Sequence, residues 1–235
     1  MKTEITLKCP SCQELNIKKN GFNGNHKQKY RCKTCKRCFI GDHALNNKGC
    51  HSESDFMIWR MIVNGCSIRA ISRIMAYSRA KIQAALKRSE HQITPKQKHY
   101  DTLQIDEFHT FVGHKKNKVW LIYAYHAKTG EIVAFVWGKR DLQTALALKT
   151  RLKELKVTYD RIASDEWDAF VNAFSDADDQ WIGKQHTKAI EGNNCRIRHR
   201  LSRAIRRSRC FSKTLFYHIK AFNIGFWAMN NPKQV

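Results

Sequence analysis

Three carboxylates in this 235-residue chain stand where they could do chemistry together. Asp106 lies inside the strand-like run Leu103-Gln-Ile-Asp-Glu-Phe-His-Thr-Phe-Val112, Asp165 follows the short run Tyr159-Asp-Arg-Ile-Ala-Ser164, and Glu191 opens a polar helical segment. A carboxylate flanked by Ile105 and Phe108 is expensive to bury unless it is paired or bound to a metal. One such Asp is commonly a salt-bridged structural residue. Two Asp and one Glu, on two strand ends and a helix, are the oxygen ligands of a two-metal phosphoryl-transfer site, because Mg²⁺ prefers oxygen, keeps several waters and takes few protein ligands. The neighbours Glu107, Glu166 and Asp168 are expected to point elsewhere, by strand alternation or on the following helix. His109, His114 and His186 are read as surface or outer residues.

A second constellation is made of sulfur. Cys9-Pro-Ser-Cys12 and Cys32-Lys-Thr-Cys35 are two Cys-x-x-Cys knuckles separated by 19 residues, with Cys38 just beyond. Each knuckle sets two thiolates on one side of a tight turn, so Cys9, Cys12, Cys32 and Cys35 can complete one tetrahedral structural Zn²⁺ site, with Cys38 as an alternative to Cys35. Between the knuckles, Asn20-Gly21 reads as the turn of a hairpin, which makes residues 1–45 a zinc ribbon. A module this small buries too little surface to fold alone, and bound zinc supplies the difference.

Elements must position these groups. From residue 52 the apolar period becomes helical, with Phe56, Ile58, Trp59, Ile62 and Val63 on one face up to Asn64-Gly65. Ser67 and Ser78 are capping positions for two further helices, so residues 52–90 fit a helix-turn-helix. The last helix would enter the major groove with Arg79, Lys81 and Gln83 at the bases while Ile82 and Leu86 pack inward. A three-helix bundle without DNA has the same pattern. Residues 91–99, with Pro95, read as a linker. Residues 100–230 then run strand, strand, strand, helix, strand, helix, an α/β succession with strands near Leu103–Val112, Val119–Tyr125, Glu131–Trp137 and Tyr159–Ser164 and a helix from Leu142 to Leu155.

Charge narrows the partner. Lys plus Arg number 43 against 20 Asp plus Glu, a net +23, with 42% hydrophobic residues: a folded basic protein suited to a polyanion. The excess sits at the ends, since residues 100–187 hold 12 basic and 13 acidic side chains. After Glu191 the run Cys195-Arg-Ile-Arg-His-Arg-Leu-Ser-Arg-Ala-Ile-Arg-Arg207 reads as one helix with Ile197, Leu201 and Ile205 inward. Its Arg196, Arg198, Arg200, Arg203, Arg206 and Arg207 are placed to clamp phosphates, although a solvated charged face is the usual origin of such runs. No apolar run approaches the roughly 18 residues of a membrane span, the start has no export pattern, and membrane insertion and secretion are not expected.

The chain resembles the transposases of the bacterial insertion sequence one family over nearly its whole length. The likeness lies in the Cys-Pro-Ser-Cys ribbon and helix-turn-helix, in Asp106-Glu107, Phe111-Val-Gly113, Trp120-Leu-Ile-Tyr-Ala-Tyr125, Ser164-Asp165-Glu-Trp167 and Ile190-Glu191-Gly-Asn193. It implies a ribonuclease H-like catalytic domain with a mixed sheet, and an Asp106, Asp165, Glu191 triad holding two Mg²⁺ ions, with 58 and 25 intervening residues. Arg198 occupies the place of the family's basic residue seven positions after the Glu. Glu166 and Gly192 depart from the family's usual Gly and basic residue. The implied activity is cleavage and strand transfer at the element's terminal inverted repeats. The implied partner is double-stranded DNA, both element ends and target, bound by a homo-oligomer in the bacterial cytoplasm, on the nucleoid when bound. A zinc and helix-turn-helix regulator, or a nuclease without strand transfer, are the alternatives.

Overall fold

The computed structural model describes residues 7–24, 26–41, 48–175, 179–205 and 210–234. The chain divides into two compact units, Met1–Ser54 and Asp55–Val235. Among the described residues no helix is long and apolar enough to cross a membrane.

The first unit holds a three-stranded antiparallel sheet of β1 (Ile17–Phe22), β2 (Gln28–Cys32) and β3 (Cys38–Ile40), in that order. Asn20-Gly21 is not its turn. Gly21 lies inside β1 at φ +68°, where the β1–β2 register shifts between Lys19 and Phe22, so glycine's freedom at positive φ makes a bulge. The two strands are joined instead through Asn23 and Lys27. There the Asn23 N–H donates to the Lys27 carbonyl at 2.9 Å and the Lys27 N–H donates to Asn23 Oδ1 at 2.8 Å. An Asn side chain that bonds its neighbouring backbone supplies such a turn as readily as Asn-Gly does.

In the second unit, α1 (Lys48–Val63, entering from the first unit), α2 (Ile68–Met75) and α3 (Arg79–Arg88) are joined by short turns. Ser67 Oγ accepts from the Ala70 N–H at 3.0 Å and Ser78 Oγ from the Lys81 N–H at 3.2 Å, the two caps expected from sequence. Ile58, Ile62, Val63, Ile71, Ile82 and Leu86 are buried together with Ala221 and Ile224 of α7 (Leu215–Asn230). Phe56, assigned to that apolar face, is instead 38% exposed. Arg88 fastens α3 to α1 through a bidentate pair with buried Asp55, both bonds at 2.8 Å. Residues 91–99 do not behave as a free linker: Ile93 is buried, and the Lys96 N–H donates to buried Glu131 at 2.8 Å.

The rest of the second unit is built on a five-stranded mixed sheet, ordered β6-β5-β4-β7-β8. Strands β4 (His99–Phe111), β5 (Lys118–His126) and β6 (Glu131–Gly138) form an antiparallel meander. After α4 (Leu142–Glu154), β7 (Thr158–Ser164) returns parallel to β4, and after α5 (Asp168–Ala173) β8 (Gln180–Ile182) adds parallel to β7. The three-residue β8 has too little pattern to be read from sequence. One sheet face, with Leu103, Ile105, Ile122 and Ala124, packs on Leu148 and Leu152 of α4 and Phe170 of α5. The other, with Phe108, Leu121 and Tyr123, packs on α6 (Lys188–Arg200) and on Phe222 and Phe226 of α7. This alternation along β4 puts Asp106 on the face that meets α6.

Candidate active site

Asp106 sits opposite Tyr123 in the β4–β5 ladder. The last β4–β7 pair is Gln104 with Ala163, so Asp165, just past the end of β7, comes level with Asp106. Beyond that pair β4 has no further β7 partner among the described residues, which leaves room for side chains to converge above the carboxyl end of β7. Oxygens of Asp106, Glu107 and Asp165 lie within 4.8 Å of one another. Glu107 was expected to face away; its Cα does alternate, but its longer side chain reaches round the open edge. Its Oε1 accepts from Arg140 Nε at 2.9 Å, and the Arg140 guanidinium lies 4.5 Å from the centre of the Trp167 ring. Glu107 Oε2 is buried with no hydrogen-bond partner among the described residues.

Both oxygens of Asp106 are held. Oδ1 accepts from the Glu107 N–H at 2.8 Å and Oδ2 from Asn194 Nδ2 at 2.7 Å. Burial, together with the Glu107 charge beside it, pushes the Asp106 carboxyl up to about 7, despite those two bonds. Crowded, desolvated carboxylates with an orphaned acceptor oxygen are the donor set a divalent cation would relieve, and the residues present fit one. Asp165 Oδ1 accepts from the Trp167 N–H at 3.2 Å, which folds the chain after β7 back on itself.

Glu191 is not in this group. It is exposed in the first turn of α6. It does share a helical stripe with Asn194 and Arg198, spaced three and seven residues on. Asn194 contacts Asp106, and the Arg198 guanidinium stands 4.3 Å from the centre of the Phe108 ring, so the stripe runs along β4. Asn194 also accepts from the buried Tyr123 hydroxyl at 2.8 Å, and Asn193 Nδ2 donates to that hydroxyl at 3.3 Å. Sequence reasoning missed Asn193, Asn194, Tyr123 and Arg140. Two consecutive Asn inside a helix, where they form helix poorly, were the available signal.

The arginine run is shorter as a helix than expected. α6 ends at Arg200, Leu201 is extended, and Ser202–Ala204 form a 3-10 turn. The cause is tertiary: Leu201 is buried against Gly225 of α7, where a Cβ would stand 2.6 Å from Leu201 Cδ2. Ile205, assigned inward, is 39% exposed. Arg203, assigned to an open phosphate-clamping face, is only 9% exposed. Its Nη1 donates to the Tyr217 carbonyl at 2.7 Å, and burial draws its pKa down to about 10. Arg196 is half-buried and donates to the Gly130 carbonyl at 3.2 Å, Arg200 is exposed, and Arg206 and Arg207 lie outside the described residues. On α3, Arg79 and Gln83 are exposed one turn apart, whereas the Lys81 ammonium is 3.5 Å from the centre of the Tyr77 ring. None of His109, His114 and His186 joins the acidic group.

In the first unit the sulfurs of Cys9, Cys12, Cys32 and Cys35 lie within 4.8 Å of one another. Cys9 and Cys35 are 3.5 Å apart, as are Cys12 and Cys32. Cys38 stands outside and accepts from Asn20 Nδ2 at 3.4 Å. The Cys35 and Thr34 N–H groups of the second knuckle draw the Cys32 thiol down to about 6, favouring the thiolate that a metal requires.

Fold and site together define a class: an α/β domain whose sheet gathers carboxylates able to hold divalent cations, flanked by a basic helix. The chain belongs to the IS1 transposase family, whose model matches residues 102–230, more than half of its length. It is 34% identical over 117 residues to the insertion element iso-IS1n protein InsB of Shigella dysenteriae, and 32% identical over 117 residues to the insertion element IS1 protein InsB of Shigella flexneri. Each alignment spans 50% of this chain and 87% of the relative. The solved simian T-cell lymphotropic virus intasome, in complex with PP2A regulatory subunit B56 gamma, aligns over 55% of this chain and 54% of that chain. Identity there is 14% and the TM-score 0.34, too low to add to the assignment. Membership makes the chain a phosphoryl-transfer enzyme of DNA transposition, and its mixed sheet fits a ribonuclease H-like fold.

Proposed function

We propose that the chain binds the terminal inverted repeats of its insertion sequence and cleaves and joins DNA strands at a site built on Asp106, Asp165 and Glu191. The carrying observation is the convergence of Asp106 and Asp165, far apart in sequence, at the carboxyl end of β7. Support for Glu191 comes from the α6 stripe it shares with Asn194, which touches Asp106. These three carboxylates would hold two Mg²⁺ ions, which when bound activate the attacking oxygen and stabilise the leaving one. Asn194 and the Glu107 N–H keep the Asp106 carboxylate oriented, while Arg140 balances the charge of Glu107. Arg196, Arg198 and Arg200 follow along the helix as phosphate contacts, and Arg79 and Gln83 serve as base readers on α3. In the division of labour we infer, residues 1–45 form a ribbon around one structural Zn²⁺ on Cys9, Cys12, Cys32 and Cys35, residues 52–90 bind DNA, and residues 100–230 carry out the chemistry on DNA as a homo-oligomer.

Asp106→Asn, Asp165→Asn and Glu191→Gln each keep side-chain size and remove a charge, so each should abolish Mg²⁺-dependent cleavage and strand transfer while duplex binding survives. Cleavage assays on gel-resolved DNA decide it. Full activity of Glu191→Gln alongside a dead Glu107→Gln would reassign the third ligand to Glu107, and full activity of all three amide variants would end the two-metal reading.

A further inference from the structure

Within the second unit, a cavity of about 560 Å³ opens between α2 and α3 on one side and the segment before and into α7 on the other. Arg69 and Arg73 of α2, Arg79 and Gln83 of α3, and Lys213 all line it, with Arg203 at its buried side. No acidic residue is among the described residues that line it. Arg69, Arg73, Arg79 and Lys213 are exposed. None of the three arginine side chains makes a hydrogen bond or ion pair among the described residues, and Lys213 rests its ammonium 4.7 Å from the centre of the Phe211 ring. Arg69 and Arg73 stand one turn apart on α2, where like charges weaken a helix. The fold gains nothing from gathering these charges; a polyanion would.

The walls are fixed to one another. Ile82 and Leu86 of α3 bury against Ala221 and Ile224 of α7, and Trp59 Nε1 donates to the Ala85 carbonyl at 3.1 Å. Across the cavity, Ser212 forms a parallel bridge with Val112 and accepts from the Gly113 N–H at 2.8 Å, while Thr110 donates to the Arg203 carbonyl at 3.1 Å. The Lys213 wall is thereby tied to the end of the strand that carries Asp106. The six residues from Asp106 to Val112 place that wall about 20 Å along the strand from the carboxylates, at ~3.3 Å per residue.

We propose that this cavity is a composite phosphate-binding site in which Arg69 and Arg73 of α2 and Lys213 of the catalytic region grip one DNA backbone, beside the base readers Arg79 and Gln83. DNA binding is then not a property of the helical module alone, and the gripped strand is held at a set distance from the acidic pair. The inference rests on DNA being the substrate. It differs from that reading in making Lys213, outside the three helices, part of the grip.

The test is fluorescence anisotropy of the full chain, with a labelled duplex from the DNA flanking its gene and a duplex of scrambled sequence, titrated across salt. Lys213→Ala, Arg69→Ala and Arg73→Ala should each weaken binding to both duplexes several-fold and reduce the magnitude of the salt slope by about one. Lys213→Arg should restore both, and Arg73→Ala with Lys213→Ala should lose more slope than either alone. Inorganic phosphate at matched ionic strength should compete only weakly; if it displaces DNA at low millimolar concentration the cavity takes free phosphate and the proposal falls. If Lys213→Ala keeps the parent affinity and slope while Arg69→Ala and Arg73→Ala lose them, the helices bind alone and the composite site is wrong. Failure of the unsubstituted chain to bind any duplex would instead overturn the DNA reading itself.

Discussion

In the first unit the buried hydrophobic side chains among the described residues are two cysteines, Cys9 and Cys32, whereas the second unit buries apolar layers on both faces of its sheet and a third beneath α1–α3. A three-stranded sheet of this size leaves most side chains wet, and its four converging thiols are the group through which a bound metal would order it. The five-stranded sheet needs no such help. Its packed faces leave it free to hold at Asp106 an arrangement that opposes stability: a half-buried carboxyl raised to about 7 beside Glu107 and Asp165. The lesson is that one chain gathers groups able to ligate metal in two settings, sulfur where apolar burial is scarce and carboxylate where it is ample.

The largest effect should come from separating these purposes. Chelating zinc, or Cys32→Ser, should remove about 10 kcal/mol of ordering free energy from the ribbon. Hydrogen exchange should then lose protection over residues 17–40 and keep it over 100–230. Leu148→Ala, at a fully buried position on α4, should do the reverse and cost the sheet about 2–5 kcal/mol. If chelation unfolds both, or neither, the contrast between the units fails.

A medium effect tests the burdened side by pH. His218 is fully buried against Trp137 and Phe222, and burial, with Arg203 nearby, drives its pKa down to about 3. Its folded value lies below the unfolded value of about 6.5, so between the two the unfolded chain binds the extra proton. Stability from neutral His218 is complete above about 6.5 and is lost as pH falls toward about 3, by a few kcal/mol at most. Denaturant unfolding of His218→Phe between pH 4 and 6.5 should show a flatter pH slope than the parent chain. Equal slopes would mean that His218 accepts a proton without unfolding.

The smallest effect sharpens the contrast inside the second unit. Ser78→Ala removes the cap that accepts from the Lys81 N–H and should cost about 1 kcal/mol, read as a small shift in the thermal transition. A loss of several kcal/mol would show α3 to depend on its cap more than on the apolar packing of Ile82 and Leu86.

Features set by neighbours in sequence were legible. Strands β4 to β7, α4 and both serine caps follow from period and local hydrogen bonding, and the expected strands overlap those observed to within a few residues at most ends. The thiol cluster was legible too, because two knuckles carry their geometry with them. The approach of Asp106 to Asp165 was readable only in part, from a carboxylate inside an apolar strand and from the family likeness. Glu107 was misjudged because alternation gives the direction of a Cβ, not the reach of a carboxylate past the end of a neighbouring strand. Gly21 was misjudged because positive φ serves a bulge as well as a turn.

What the sequence determined by itself, then, is the set of chemically able residues and the elements that carry them: two knuckles, two capped helices, an acid within a strand, a basic run after Glu191. Tertiary structure alone decided which of them meet. It ended α6 at Arg200 because Leu201 fills the space left by Gly225, and so turned Arg203 from a surface cation into a buried one. It brought Asn194 to Asp106 while leaving Glu191 a turn away, and it set Lys213 across a cavity from Arg79. These outcomes depend on contacts between residues distant in the chain, whose energies are set by packing and burial rather than by local period.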